Sequence, residues 1–177
     1  MANQFAIDVT RIREQARKHM AEGPVTKTYD ADRARIIEVL NDVVATEVVC
    51  FLRYSQNAIA ATGIDRAQVA AEFREHAGEE LQHALRAAER VSQLGDQPDF
   101  DPGSLVARSH TEYVTAEERD LQKMLRENLV AERIVITTYQ EIIRWIGDGD
   151  PTTRRLMESI LEEEEEHADD LNDLLAG

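Results

Sequence analysis

Two short stretches of the chain place a glutamate three residues before a histidine. Glu80 precedes His83 in "EHAGEELQHAL", and Glu164 precedes His167 in "ILEEEEEHADDL". Residues three apart share one face of a helix, so each pair can direct a carboxylate and an imidazole at one point. Mixed carboxylate and imidazole ligands suit iron or manganese, so each pair is a candidate for one side of a metal site.

Two further glutamates stand where a charge is costly to bury. Glu47 lies within the apolar run "VVATEVVCFL", and Glu132 lies within "LVAERIVI". A carboxylate taken out of water needs a positive partner, because the loss of its hydration is expensive. The set predicts a site for two divalent cations, with the ligands Glu47, Glu80, His83, Glu132, Glu164 and His167.

The spacing of these residues repeats along the chain. The apolar-flanked glutamate precedes the glutamate of the pair by 33 residues in the first half and by 32 in the second. A tyrosine, Tyr54 or Tyr139, follows each apolar-flanked glutamate by seven residues. The offset between the halves is 84 or 85 residues, which predicts two equivalent helical hairpins that each contribute half of the site.

Some assignments stay open at this stage. Glu79 and Glu163 stand four residues before the two histidines and share their helix faces, although the repeat favours the glutamates at three. Tyr54 and Tyr139 suit either a hydrogen bond to a ligand carboxylate or a structural role. His76 fits a surface or polar-core position better than that of an accessory ligand.

Four long helical patterns must position these side chains. The first follows Asp30 as a candidate N-cap and stops at Gly63, and the second starts after Asp65 and ends near Gly95. In a hairpin of this length, residues equally far from the turn lie level with each other. The first hairpin therefore places Glu47 beside the pair that contains Glu80.

The second hairpin repeats this arrangement. Thr115 and Glu118 form a capping-box pattern before the third helix, "GDGDP" ends it, and Pro151 opens the fourth. Between the hairpins lies "DQPDFDPGSLVARSHTEYV", a loop of about twenty residues. Spacing alone also allows an up-down-up-down bundle. At ~3.3 Å per residue, however, the loop can cross the whole bundle, so we expect the second and third helices to be parallel.

A separate short helix is predicted at the N-terminus. Apolar residues recur there at helical spacing, and Gly23 and Pro24 end the pattern. We expect residues 1–28 to form this amphipathic helix and a linker that docks on the main domain or a neighbouring subunit, and residues 29–177 to form one all-α domain.

Composition restricts the partners and the location. The net charge of −15 argues against binding nucleic acid through its phosphates. The single cysteine, Cys50, excludes an internal disulfide and a cysteine-based zinc site, and it fits a reducing cytosol. With neither a membrane-length apolar stretch nor a signal core, we expect a cytoplasmic protein without membrane contact.

The motifs "ATEVVCFLRY", "EELQHA", "VAERIVITTY" and "EEEEEHADDL" resemble the bacterioferritin branch of the ferritin-like superfamily, over about 30–175. The resemblance implies a ferritin-like four-helix bundle of two antiparallel hairpins joined by the long crossover. It places the six predicted ligands in a di-iron ferroxidase site, with Glu80 and Glu164 as bridging carboxylates and Tyr54 beside them. It implies oxidation of Fe(II) by dioxygen or peroxide, and iron storage or detoxification in a homo-oligomeric shell.

Two departures from that family limit what is carried over. Haem-binding bacterioferritins have a methionine directly after the glutamate of the first Glu-x-x-His pair. This chain has Leu81 at that position, so haem is not expected. The residues after His167 are too few for a fifth helix, which leaves a 24-subunit shell, a smaller Dps-like cage and a dimer open. Two rival functions also remain: a discrete rubrerythrin-like or manganese-catalase-like enzyme, and a metal-free helical interaction module.

Overall fold

A computed structural model of the chain describes residues 6–115 and 119–176, and it is built from helices without a strand in these two ranges. The helices are α1 (Val9–Lys18), α2 (Arg33–Ala60), α3 (Arg66–Gln93), α4 (Leu105–Arg108), α5 (Leu121–Ile146) and α6 (Pro151–Ala176). Over these residues, none of the helices combines the length and apolar character that a membrane span needs. The all-α prediction is confirmed.

Capping side chains set where the long helices begin. The carboxylate of Asp32 accepts a hydrogen bond from the Arg35 backbone N–H at 3.1 Å, so the predicted cap at Asp30 is wrong by two residues. Asp120 caps α5 by accepting from the Gln122 N–H at 2.9 Å, which starts that helix later than the capping-box pattern indicates. Glu118 of that pattern lies outside the described residues.

The α6 helix begins as its sequence predicts, with Pro151 at the first helical position. Asp150 accepts the Thr153 N–H at 2.9 Å and also accepts two contacts of 3.0 Å from Arg90 Nη2 at the end of α3. This buried network joins the two hairpins at one end of the bundle.

The crossover prediction is confirmed by the contacts of residues 94–115 with α2. The Asp99 N–H donates to Asn41 near the start of α2 at 2.9 Å, and the Tyr113 hydroxyl donates to Gln56 near its end at 2.6 Å. Between these points, Leu105 of α4 is buried against α2. The segment therefore crosses the length of the bundle, and α3 and α5 run in the same direction.

Two apolar clusters fill the ends of the bundle. One contains Leu40, Val91 and Met157, and the other contains Phe73 and Leu171. Burial of such side chains contributes about 1.5–3 kcal/mol each, which is where the packing energy of the bundle comes from. The middle of the bundle, between the clusters, holds the buried glutamates.

The N-terminal segment packs differently along its length. None of the α1 residues is buried in the described part of the chain. In the linker, Val25, Tyr29 and Ala31 pack against the core, and the Tyr29 hydroxyl donates to Asp150 at 2.8 Å. The linker is therefore attached to the bundle, whereas α1 extends from it, and the division of the chain at residue 28 stays a prediction.

Candidate metal centre

The six predicted ligands lie together in the middle of the bundle, and none is more than 2% exposed. Each of the four long helices contributes at least one of them, since Glu47 comes from α2 and Glu132 from α5, while α3 and α6 supply the two Glu-x-x-His pairs. The helical hairpins therefore bring the six side chains to one level.

The cluster divides into two groups of possible ligands. The first contains Glu47, Glu80, His83 and Glu164. The second contains Glu80, Glu132, Glu164 and His167. Within each group the candidate ligand atoms lie within 4.8 Å of one another. Because Glu80 and Glu164 belong to both groups, two cations would lie side by side and share these two carboxylates.

Both histidines direct Nδ1 into the cluster. His83 Nδ1 lies 2.8 Å from Glu164 Oε1 and 3.5 Å from Glu47 Oε2. His167 Nδ1 lies 3.6 Å from Glu164 Oε2 and 3.7 Å from Glu80 Oε1. The same ring atom of each histidine is thus presented to one of the two groups.

The opposite ring nitrogens contact the glutamates that stand four residues before the histidines. His83 Nε2 lies 2.8 Å from Glu163, and His167 Nε2 lies 2.8 Å from Glu79. Both glutamates are partly exposed and lie on the outer side of the rings, so they orient the imidazoles rather than join the inner groups. Sequence reasoning had left this role unassigned, because helix spacing does not show which ring nitrogen a carboxylate meets.

A tyrosine fixes each apolar-flanked glutamate. The Tyr54 hydroxyl donates to Glu132 Oε1, and the Tyr139 hydroxyl donates to Glu47 Oε1. Each bond joins the two hairpins, and the two bonds are related by the internal repeat. Of the two alternatives for Tyr54, the structure shows a hydrogen bond to a predicted ligand carboxylate.

Six ligand atoms of the cluster have no hydrogen-bond partner among the described residues although they are fully buried. They are Glu47 Oε2, Glu80 Oε1, Glu80 Oε2, Glu132 Oε2, Glu164 Oε2 and His167 Nδ1. Each unsatisfied buried polar group costs about 1–3 kcal/mol, and more when it is charged. The donor set fits two hard or borderline cations, which would satisfy these atoms together.

The pKa values of the cluster residues are shifted by their burial and by their closeness to one another. Burial and the nearby Glu164 raise the pKa of Glu80 and of Glu132 well above the ordinary value. Burial alone would lower the pKa of each histidine, but the contacts of both rings with the Glu164 carboxylate outweigh it. They raise the pKa of His83 to about 11 and that of His167 to about 9. Without a metal, protons occupy the places where cations would be held.

Two residues near the cluster differ in how sequence reasoning placed them. Cys50 is buried in the core, and burial raises the pKa of its thiol. His76, for which a surface or polar-core role was favoured, is 1% exposed, and its ring stacks on that of His167 with the centroids 4.1 Å apart. It does not belong to either group of inner ligands.

Comparison with known proteins finds matches over most of the chain. The family model described as a ferritin-like domain matches residues 37–177. Among curated relatives, the bacterioferritin of Desulfovibrio desulfuricans is 28% identical over 137 residues, covering 76% of this chain and 71% of that protein. The DNA protection during starvation protein of Pyrococcus furiosus is 27% identical over 148 residues, covering 82% and 80%.

A solved structure is similar over most of the chain. It is a dodecameric thioferritin, the bacterioferritin-related protein of Bacteroides fragilis. The TM-score is 0.80 at 35% identity, and the match covers 83% of this chain and 88% of that one.

Proposed function

We propose, from the premise that the chain belongs to the ferritin-like domain family, that it is a di-iron ferroxidase which oxidises Fe(II) with dioxygen or peroxide. The observation that carries the proposal is the pair of buried ligand groups that share Glu80 and Glu164. Two cations held by shared carboxylates are close enough to act on one oxidant. Manganese fits the same ligands, and oxidation of Fe(II) distinguishes a ferroxidase from a manganese enzyme.

The side chains of this chain would divide the work between them. Glu47 with His83, and Glu132 with His167, would hold one iron each, while Glu80 and Glu164 would bridge the two. Oxidation of two Fe(II) ions held there to Fe(III) would supply two electrons, which with two protons would reduce dioxygen to hydrogen peroxide or hydrogen peroxide to water. Tyr54 and Tyr139 would keep the two terminal carboxylates in position, and the apolar clusters above and below would limit access of water.

Protons must leave the cluster when metal binds. His83 and His167 carry protons at neutral pH in the metal-free protein, because their pKa values are raised to about 11 and about 9. The raised pKa values of Glu80 and Glu132 have the same consequence. Since a ligand must give up its proton to coordinate, metal binding would release protons and would tighten as pH rises.

The proposal includes storage or detoxification of iron in a homo-oligomeric shell in the cytoplasm. The Bacteroides fragilis relative is described as a dodecamer, and exposed apolar side chains such as Val130, Ile134 and Trp145 would suit contacts between copies. We do not extend the DNA protection named for the Pyrococcus furiosus relative to this chain, because a net charge of −15 opposes contact with phosphates.

The test is an aerobic titration of metal-free protein with Fe(II), followed by size-exclusion chromatography with iron counted per chain in the protein peak. Uptake far above two irons per chain would support a storing shell, and saturation near two would support a discrete di-iron enzyme. Absence of both uptake and accelerated Fe(II) loss would overturn the ferroxidase. Binding of Mn(II) without oxidation of Fe(II) would favour a manganese enzyme.

A pair of variants of α6 provides the control. Glu164→Gln changes a buried residue that belongs to both ligand groups, and Glu166→Gln makes the same chemical change at an exposed position two residues later. We expect Glu164→Gln to lose oxidation and Glu166→Gln to keep it. Equal rates in the two variants would contradict the site.

A further inference from the structure

A third group of possible ligands lies outside the six-residue cluster. Glu72 and His76 are one turn apart on α3, and Asp170 faces them from α6. His76 Nε2 lies 3.4 Å from Glu72 Oε1 and 3.6 Å from Asp170 Oδ2. We call these three residues the outer group. One ligand atom from each lies within 4.8 Å of the other two, a spacing that a single cation can span.

His76 supplies the reason to expect a ligand there. Its ring is 1% exposed, and neither ring nitrogen has a hydrogen-bond partner in the described ranges 6–115 and 119–176. A buried histidine without a partner forfeits about 1–3 kcal/mol relative to a satisfied one. The contacts of Nε2 with Glu72 and Asp170 are too long for good hydrogen bonds, but they aim the nitrogen between two carboxylates.

Within the described ranges, no lysine or arginine forms a salt bridge with either carboxylate. Burial, followed by the charge of Asp170, raises the pKa of Glu72, so the two acids repel each other across the outer group. Their side chains are 27% and 47% exposed, in contrast to the fully buried histidine between them. The outer group thus opens to solvent on one side and reaches the core on the other.

The internal repeat shows that the outer group is an addition to the paired site. At the offset of 84 residues, Glu72 corresponds to Leu156, His76 to Ile160, and Arg86 to Asp170. Ile160 is fully buried in an apolar cluster, and Arg86 donates to Glu163 at 2.7 Å. One side of the cluster is therefore covered by an apolar residue and an ion pair. The side related to it by the repeat has three residues with possible metal-ligand atoms instead.

We propose that Glu72, His76 and Asp170 form a third divalent-cation site, for a transition-metal ion with mixed carboxylate and imidazole ligands. The ring of His76 stacks on that of His167. Nδ1 of His167 in turn contacts the shared carboxylates. The stacked rings of His76 and His167 would therefore connect an ion at the outer group to the second inner group. Resting on the proposed ferroxidase function, the outer site is the place where Fe(II) from solvent is first held before it moves to Glu132 and His167.

Zn(II) is the probe for the test, because it binds carboxylate and imidazole ligands without redox change. Metal-free protein is titrated with Zn(II) by calorimetry, and Zn(II) positions are located by anomalous diffraction from crystals of the loaded protein. We expect three ions per chain, one of them among the outer group. We expect two ions in the double variant Glu72→Gln/Asp170→Asn and in His76→Phe, which keeps an aromatic ring but has no lone pair.

The matched control is the double variant Glu165→Gln/Asp169→Asn, which removes two charges from exposed positions on α6 and should keep all three ions. Two ions in the wild type with no anomalous peak at the outer group would overturn the proposal. A third ion that persists in Glu72→Gln/Asp170→Asn would overturn it as well.

Two further measurements distinguish the outer site from the ferroxidase cluster. In Glu164→Gln the inner ions should be lost while the outer ion remains, which would support the outer site even if the inner cluster has another function. At Fe(II) below saturation, loss of the outer group should slow the initial oxidation about tenfold or more, since a charged opening raises the rate of cation capture by at least that factor. An unchanged initial rate would overturn the role in Fe(II) capture.

Discussion

The terminal carboxylates of the cluster are each held by a tyrosine from the opposite hairpin. Tyr54 donates to Glu132 and Tyr139 to Glu47, and both rings are fully buried. Removing one hydroxyl leaves the ring in the core but releases one carboxylate. The internal repeat therefore allows two equivalent substitutions, each of which removes one hydroxyl oxygen and affects one metal position.

We expect Tyr54→Phe to weaken metal binding only at the position of Glu132, and Tyr139→Phe only at that of Glu47. The loss should be about 10–100-fold in affinity, as for other groups that support a ligand. Competition titrations of the metal-free variants with Zn(II) measure it.

Tyr113→Phe is the matched control, because its hydroxyl binds Gln56 on the surface of α2, far from the cluster. Equal losses at both positions in either single variant would contradict the pairing of one tyrosine with one position.

At this scale, residue type and spacing predicted which side chains meet but not how each is oriented. Glu47 and Glu132 were identifiable because a charge within an apolar run is costly to bury. The roles of Glu79 and Glu163 were not, because a position three or four before a histidine puts either carboxylate on its helix face. His76 gave no signal beyond its presence on that face, since its neighbours Glu72 and Asp170 belong to two helices.

At the scale of helices, Asp150 joins the end of α3 to the start of α6. Its carboxylate caps α6 and accepts both contacts from Arg90, which is itself largely buried. Burial alone would raise the pKa of Asp150, but hydrogen bonds from Thr153, Tyr29 and Arg90 outweigh it and hold the pKa below the ordinary value. This carboxylate therefore stabilises the fold in its ionised form.

We expect Asp150→Ala to lower the free energy of unfolding by about 3–5 kcal/mol, because it leaves the Arg90 charge buried without its partner. The contribution of a carboxylate with a lowered pKa is present above its unfolded pKa of about 3.9, and it is lost as pH falls through the folded pKa. Urea unfolding of wild type and variant at pH 7 and below pH 4 should show the difference shrinking at the lower pH.

Asp148→Ala serves as the control, since Asp148 is fully exposed and pairs with Arg154 at the surface. Its unfolding midpoint should match that of the wild type at both pH values. A loss as large as that of Asp150→Ala would mean that the removed charge, and not the buried network, causes the effect.

Helix order and direction were predictable, whereas helix ends were less so. The long polar segment between the hairpins predicted the crossover because its length matches the bundle. Asp30 and Asp32 are equally good caps by residue type, and only the backbone shows that Asp32 meets the Arg35 N–H. The short helix α4 was not predicted, because its four residues form against α2 rather than through their own periodicity.

For the molecule as a whole, the raised histidine pKa values link metal occupancy to stability. The folded pKa of His167 is about 9, compared with about 6.5 in an unfolded chain. Such a group stabilises the fold fully below pH ~6.5, and this contribution is lost as pH rises to about 9. His83 acts in the same direction over a wider range, because its pKa is about 11.

We therefore expect the Tm of the metal-free protein to fall between pH 6.5 and pH 9. The metal-loaded protein should not show this fall, since binding tightens with pH and stabilises by mass action. Differential scanning calorimetry with and without Zn(II) across this range measures both.

Glu164→Gln removes the main partner of both histidines and should flatten the metal-free profile. A wild-type profile that is already flat without metal would show that the two imidazoles are not protonated in the folded chain.

The crossover also sets the order in which the chain can be completed during synthesis. Residues 94–115 contact α2, which precedes them, so α2, α3 and the crossover can pack before α5 leaves the ribosome. Glu47, Glu80 and His83 then belong to a finished hairpin that lacks Glu132, Glu164 and His167. The metal centre is consequently the last part of the protein to exist, and a nascent chain cannot hold the paired site until α6 has been translated and has folded.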